Sequence, residues 1–273
     1  MAKQKKPSPT FEIQLRGTAV VPEKVQLHQL NEMLSAVQRL ASGHDFDESE
    51  GDEDAGDGEH EGAMSLLGVK RGSAIFQCLA RNPRDAVRNL AGAGRFIDDP
   101  NADTEGKFSY SLRPIQRLSR IATSLDCEIF IRTVDDRDKI LATVDSNSFH
   151  RVSTSILVSG ETTLIGRVQR VGGATRMRCA LRVAGMHRLL FCDVADQEVA
   201  RALGNKIYEE VTLRGTARWL QRSWKLYDFR IHAIEDAPVR KPLRKALDAL
   251  RNAGGKAWES IDDPSGLLES LRQ

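Results

Sequence analysis

The most constraining stretch of the chain runs from Glu161 to Glu235, where apolar–polar alternation is cut at regular intervals by glycine and by one helical interval. Thr162–Val171 alternates and stops at Gly172-Gly173. Ala174–Val183 alternates and stops before Gly185, and His187–Val194 follows. Asp196–Lys206 has the three-and-four spacing of a helix, and Glu210–Leu220 and Ser223–Ile234 alternate again. Period-two runs bounded by turn residues read as strands, so the stretch predicts three strands, a helix and two strands.

Alternation also assigns faces. In the second strand Met177, Cys179, Leu181 and Val183 point one way and Arg176, Arg178 and Arg182 the other. Val211, Leu213, Gly215 and Ala217 are expected inside, with Arg214 and Arg218 outside; Phe229 and Ile231 are expected inside, with Arg230 outside. Arg167 and Arg170, three apart in the first strand, are expected on opposite faces. The element order resembles that of the oligonucleotide/oligosaccharide-binding (OB) barrel. That resemblance implies a ligand face on the second and third strands and their loops. Arginine binds phosphate with a planar fork and stacks on bases. Trp219, Trp224, Tyr208 and Tyr227 are candidate stacking platforms.

Net charge over the 273 residues is only +2, but the charges are unevenly placed. Residues 44–62 hold ten acidic residues and no Lys or Arg, so the rest of the chain stands at +12. That segment has too little apolar surface to order itself and is read as an acidic mobile loop, with residues 1–9 a disordered leader. No run approaches the ~20 apolar residues of a membrane span. The basic N-terminus lacks the apolar centre of a secretory signal, so a cytoplasmic chain with no membrane partner is expected. Cys78, Cys127, Cys179 and Cys192 are scattered without metal-ligand spacing and are expected to be reduced core thiols.

Residues 10–158 are read as an α+β domain, largely antiparallel. Phe11–Ala19 alternates as a strand, and a helix from Pro22 to about Ala41 carries Val25, Leu30, Met33, Leu34, Val37 and Leu40 on one stripe before Gly43. Met64–Val69 and Ala74–Ala80 form a hairpin. A helix starts at Asn82-Pro83, with Gly92 and Gly94 expected to loosen its end. A helix over Pro114–Leu125, strands over Cys127–Val134 and Lys139–Val144, and a further strand over Phe149–Val158 complete the domain.

Residues 160–235 form the OB-like β-domain, and 236–273 a linker and helical tail. Trp258, Ile261, Leu267, Leu268 and Leu271 are the tail's candidate partner-binding residues, and its Trp-x-x-Ile-Asp-Asp-Pro run resembles tails of antitoxin-type proteins. No phosphate-cradling, nucleophile-elbow or zinc-protease motif is present, so no catalytic residue, metal ligand or cofactor is assigned. The expected function is non-enzymatic binding of single-stranded or structured nucleic acid through Arg176, Arg178, Arg182, Arg214, Arg218 and Arg230, with Trp219 and Trp224. The alternatives are a protein–protein adaptor or antitoxin-like subunit and, more weakly, a metal-dependent nuclease built on Asp126, Glu128 and the Asp135–Asp138 turn.

Overall fold

A computed structural model describes residues 9–17, 22–43, 64–70, 74–103, 105–134, 139–173, 176–186 and 188–235. The acidic segment, the Asp135–Asp138 turn and the whole C-terminal tail lie outside these residues. The chain is α+β, with one five-stranded sheet and a second set of five strands hydrogen-bonded in a closed ring. No described helix is long and apolar enough to cross a membrane.

The first sheet contains β1 (Phe11–Arg16), β2 (Met64–Val69), β3 (Ile75–Ala80), β4 (Glu128–Thr133) and β5 (Ile140–Val144), in the order β2-β3-β1-β4-β5. Every pairing is antiparallel. Alternation on β1 buries Phe11, Ile13 and Leu15 against the helices, opposite Phe76 and Cys78 on one side and Ile129 and Ile131 on the other. The helices are α1 (Leu27–Ser42), α2 (Pro83–Asp98), α3 (Leu112–Leu125) and α4 (Ser148–Ile156). Their buried stripes, including Met33, Val37, Leu40, Leu90, Ile115 and Leu118, join the same core.

Three expectations change. Pro22–Lys24 is a separate 3-10 turn, and α1 starts at Leu27, where Gln26 and Gln29 cap each other. Gly92 and Gly94 lie inside α2 and are buried. Their lack of a Cβ lets the helix approach its neighbours: a side chain at Gly92 would strike the Phe108 ring, and one at Gly94 the backbone carbonyl of Leu141 on β5. Finally, Phe149–Val158 is mostly α4 and not a strand. Phe149, Val152 and Ile156 stand three and four apart, a helical stripe. The start is held by the Ser148 hydroxyl, which accepts from the Asp145 amide at 2.9 Å and donates to its carboxylate at 2.8 Å. The Ser119 hydroxyl of α3 accepts from the Phe149 amide at 3.1 Å.

The other face of β1 carries a buried charge. Glu12 is 1% exposed and lies opposite Gln77 on β3 and Arg132 on β4. Gln77 Nε2 donates to it at 2.9 Å, Arg132 Nη2 at 3.0 Å, and Lys70 Nζ stands 2.6 Å away. Burial pushes the Glu12 carboxyl up, but the hydrogen bonds from Lys70, Gln77 and Arg132 outweigh it and hold it below its ordinary value.

The ring comprises β6 (Leu157–Gly172), β7 (Arg178–Arg182), β8 (Leu190–Val194), β9 (Glu210–Leu220) and β10 (Leu226–Glu235), with α5 (Gln197–Gly204) between β8 and β9. Its cyclic order is β10-β8-β7-β6-β9. Asp196 starts α5 by accepting from the Val199 amide at 2.9 Å. Cys179, Leu181, Leu213, Phe229 and Ile231 are buried, as alternation predicts, and Met177 is half-buried. The chain divides into two compact units: residues 1–162, 187–191 and 216–230, and residues 163–186, 192–215 and 231–273. The division crosses β6, β8, β9 and β10 within their lengths.

Two substitutions test these packing arguments. Gly94→Ala is expected to lower the unfolding free energy by about 1–3 kcal/mol, because backbone blocks the new methyl. Gly204→Ala, where the methyl meets open space, is expected to be neutral or slightly stabilising in the same urea titration. Glu12→Gln is expected to cost about 2–3 kcal/mol at neutral pH. Because the folded carboxyl is depressed, its stabilisation is present above an unfolded pKa of about 4.3 and is lost as pH falls through the lower folded value. The gap between Glu12→Gln and the parent should therefore close in acid, which unfolding titrations across pH will record.

Candidate functional site

The outer surface of β6 and β7 carries a group of exposed arginines. Arg167 and Arg182 are direct cross-strand partners, while Val168 faces Leu181. The register then shifts: Arg170 stands opposite Ala180, Val171 opposite Cys179 and Gly172 opposite Arg178. This β-bulge absorbs Gln169 and reverses the alternation beyond it. Arg167 and Arg170 are consequently both exposed on the outer face, against the expectation of opposite faces. The sequence holds a signal for this, because Val168 and Val171 are three apart and both can point inward only across a bulge.

Like charges directly opposite each other destabilise a strand pair. Among the described residues neither Arg167 nor Arg182 forms an ion pair; the Arg167 Nε donates instead to the Tyr208 carbonyl at 2.6 Å. Arg176, exposed just ahead of β7, also has no acidic partner among them. Arg178 has a loose one, Asp193 Oδ1 at 3.7 Å from its Nε, both side chains about half exposed. Such a pair holds its charge weakly.

The remaining predicted residues lie elsewhere. Arg214, Arg218 and Arg230 sit on β9 and β10, strands that do not pair with β7 in the ring. Arg214 Nε is 3.2 Å from Glu235. Arg218 forks onto Asp228, its Nε 2.9 and 3.1 Å from the two oxygens, and its guanidinium lies over the Tyr227 ring at 5.5 Å. Its charge and donors are already engaged. Arg230 is exposed. Trp219 is half-buried on β9, whereas Trp224, in the turn to β10, is 66% exposed with φ of 53°. Tyr227 is buried, its hydroxyl 3.2 Å from Gln116 Oε1. Burial pushes that hydroxyl up to about 12. Tyr208 is the exposed aromatic beside Arg167. The five tail residues, Trp258, Ile261, Leu267, Leu268 and Leu271, lie outside the described residues.

Other chemistry has less support. Asp126 is the left-handed C-cap of α3, with φ of 48°, and Glu128 is exposed on β4. Among the described residues no three His, Cys, Asp or Glu side chains converge on a metal position. All four cysteines are buried and none is in a disulfide. Burial pushes the Cys78 thiol up to about 12 and the Cys127 and Cys179 thiols up to about 11, so none of these three is a thiolate at neutral pH. A cavity of about 190 Å³ is lined by Phe96, Asp103, Ser155, Ile156, Leu220 and Arg222 among others. Its Asp103 carboxylate is occupied in accepting the Lys107 and Phe108 amides at 3.0 and 2.8 Å.

If Arg167 and Arg182 repel without compensation, Arg182→Ala should stabilise the protein by about 0.2–1 kcal/mol at low salt. The gain should fade at high salt as screening sets in. Urea midpoints measured at the two ionic strengths check both parts. No protein-family model, curated protein or solved structure matches this chain.

Proposed function

We propose that the chain is a non-enzymatic nucleic-acid-binding protein whose β6–β7 surface takes the phosphate backbone. The observation that carries this reading is the Arg167–Arg182 cross-strand pair, which has no carboxylate among the described residues. A pair of opposed cations raises the energy of the free protein and is relieved by an anion bridging them. Arg170, Arg176 and Arg178 extend the same surface along the strand and its leading loop. Arginine forks suit phosphate oxygens, and several in a row suit a polyanion better than a single ion.

The fold supports the same reading. Taken in chain order, β6 to β10 run strand, strand, strand, helix, strand, strand, the element order that resembles the OB barrel, and the five strands close in a ring. Ligands of that fold lie on its second and third strands and adjoining loops. Arg178 and Arg182 are on the second strand, and Arg176 is in the loop before it.

Binding should weaken steeply with salt, because each neutralised phosphate releases counterions. For about four contacts the slope of log K against log salt is about −3 on a single strand. Replacing Arg176, Arg178 and Arg182 together with Glu should abolish binding while leaving the circular dichroism spectrum unchanged. Fluorescence anisotropy of labelled oligonucleotides measures both, and undiminished binding by a folded triple variant would remove the assignment.

A further inference from the structure

Tyr208 sits where folding gives little reason for a large aromatic. It is 64% exposed and its backbone is left-handed, with φ of 67°. Residues other than Gly, Asn and Asp rarely adopt that conformation, since an L-residue's Cβ crowds the following carbonyl. A glycine or asparagine would meet the backbone requirement at lower cost, and the ring buries little surface in return.

The backbone at this position is firmly held. The Tyr208 amide donates to the Val168 carbonyl at 2.8 Å, and the Tyr208 carbonyl accepts from Arg167 Nε at 2.6 Å. Next along the chain, the Glu209 carbonyl accepts from the Val168 amide at 3.0 Å, and the Glu209 amide donates to the Lys206 carbonyl at 3.0 Å. Both backbone groups of Tyr208 are thus satisfied, and its ring projects from a fixed stem into solvent. One of the two residues that hold the stem is Arg167, which faces Arg182 across β6 and β7. A stacking surface and the arginines are therefore joined by one hydrogen bond.

Resting on the reading of this surface as a phosphate-binding face, we propose that Tyr208 is a base-stacking platform and that the ligand is single-stranded nucleic acid. A base can lie on an exposed ring only when it is free of its own duplex stack. An unpaired strand offers both a free base and flexible phosphates to the adjacent arginines. Duplex offers the phosphates alone. Tyr208 lies between α5 and β9, outside the strands and loops that OB-type ligands usually occupy, so it adds a subsite to that surface.

The test uses anisotropy titrations of the full chain with a labelled single strand and a blunt duplex of equal length, at one low salt concentration and then across salt. The single strand should bind at least tenfold more tightly. Tyr208→Ala should lower single-strand affinity about tenfold, leave duplex affinity unchanged, and keep the salt slope of the parent. Tyr208→Phe, which keeps the ring, should restore binding. Tyr208→Gly, which suits the left-handed backbone, should match Tyr208→Ala in affinity while being at least as stable, separating stacking from folding. Equal affinity for single strand and duplex, or full single-strand affinity in Tyr208→Ala, would overturn the platform while leaving phosphate binding standing. Absence of binding to either nucleic acid by the parent chain would overturn the surface assignment and the platform with it.

Discussion

Every strand of a closed five-stranded ring pairs along both edges and must still keep an apolar side turned inward, a demand that is greatest on the longest strand. In this chain that strand is β6, sixteen residues long and hydrogen-bonded to both β7 and β9. A strand of that length with strict alternation would turn Val168 and Val171 to opposite faces and leave one of them in water. The bulge at Gln169 solves the problem by inserting one residue, so both valines oppose the inward-facing Leu181 and Cys179. The same insertion throws Arg167 and Arg170 onto one outer face. A requirement of the core thereby concentrates charge on the surface.

Charge is treated in two opposite ways in the chain. Near the start of β1 the buried Glu12 meets Arg132, Gln77 and Lys70, and each oxygen is hydrogen-bonded. On β9 the Arg218 guanidinium is matched by Asp228 and by the Tyr227 ring. Those groups are structural, since their charge is spent inside the fold. At Arg167 and Arg182 the neighbour across the strands has the same sign, and among the described residues neither forms an ion pair.

Much of the architecture was legible because it is written in period and punctuation. Glu210–Leu220 coincides with β9, Asp196 caps α5, and the inward positions Leu181, Leu213, Phe229 and Ile231 are buried. The misreadings have physical causes. Phe149–Val158 carries β-branched residues that favour strand, but Phe149, Val152 and Ile156 pack one helical stripe on the core, and Ser119 of α3 accepts from the Phe149 amide. Gly92 and Gly94 look like helix breakers until Phe108 and the Leu141 carbonyl occupy the space a methyl would need.

By itself, the sequence determined the alternation of strands, the helical stripes, the inward and outward sets on β7, β9 and β10, and the basic bias of the chain apart from residues 44–62. Only the tertiary structure decided which charges are spent and which are available. Arg182 and Arg218 look alike in one dimension, each next to apolar residues on an alternating strand. Register sets Arg182 opposite Arg167, while Arg218 folds onto Asp228. The reason is that a side chain's electrostatic state depends on the residue across the strand, and pairing between distant segments chooses that residue.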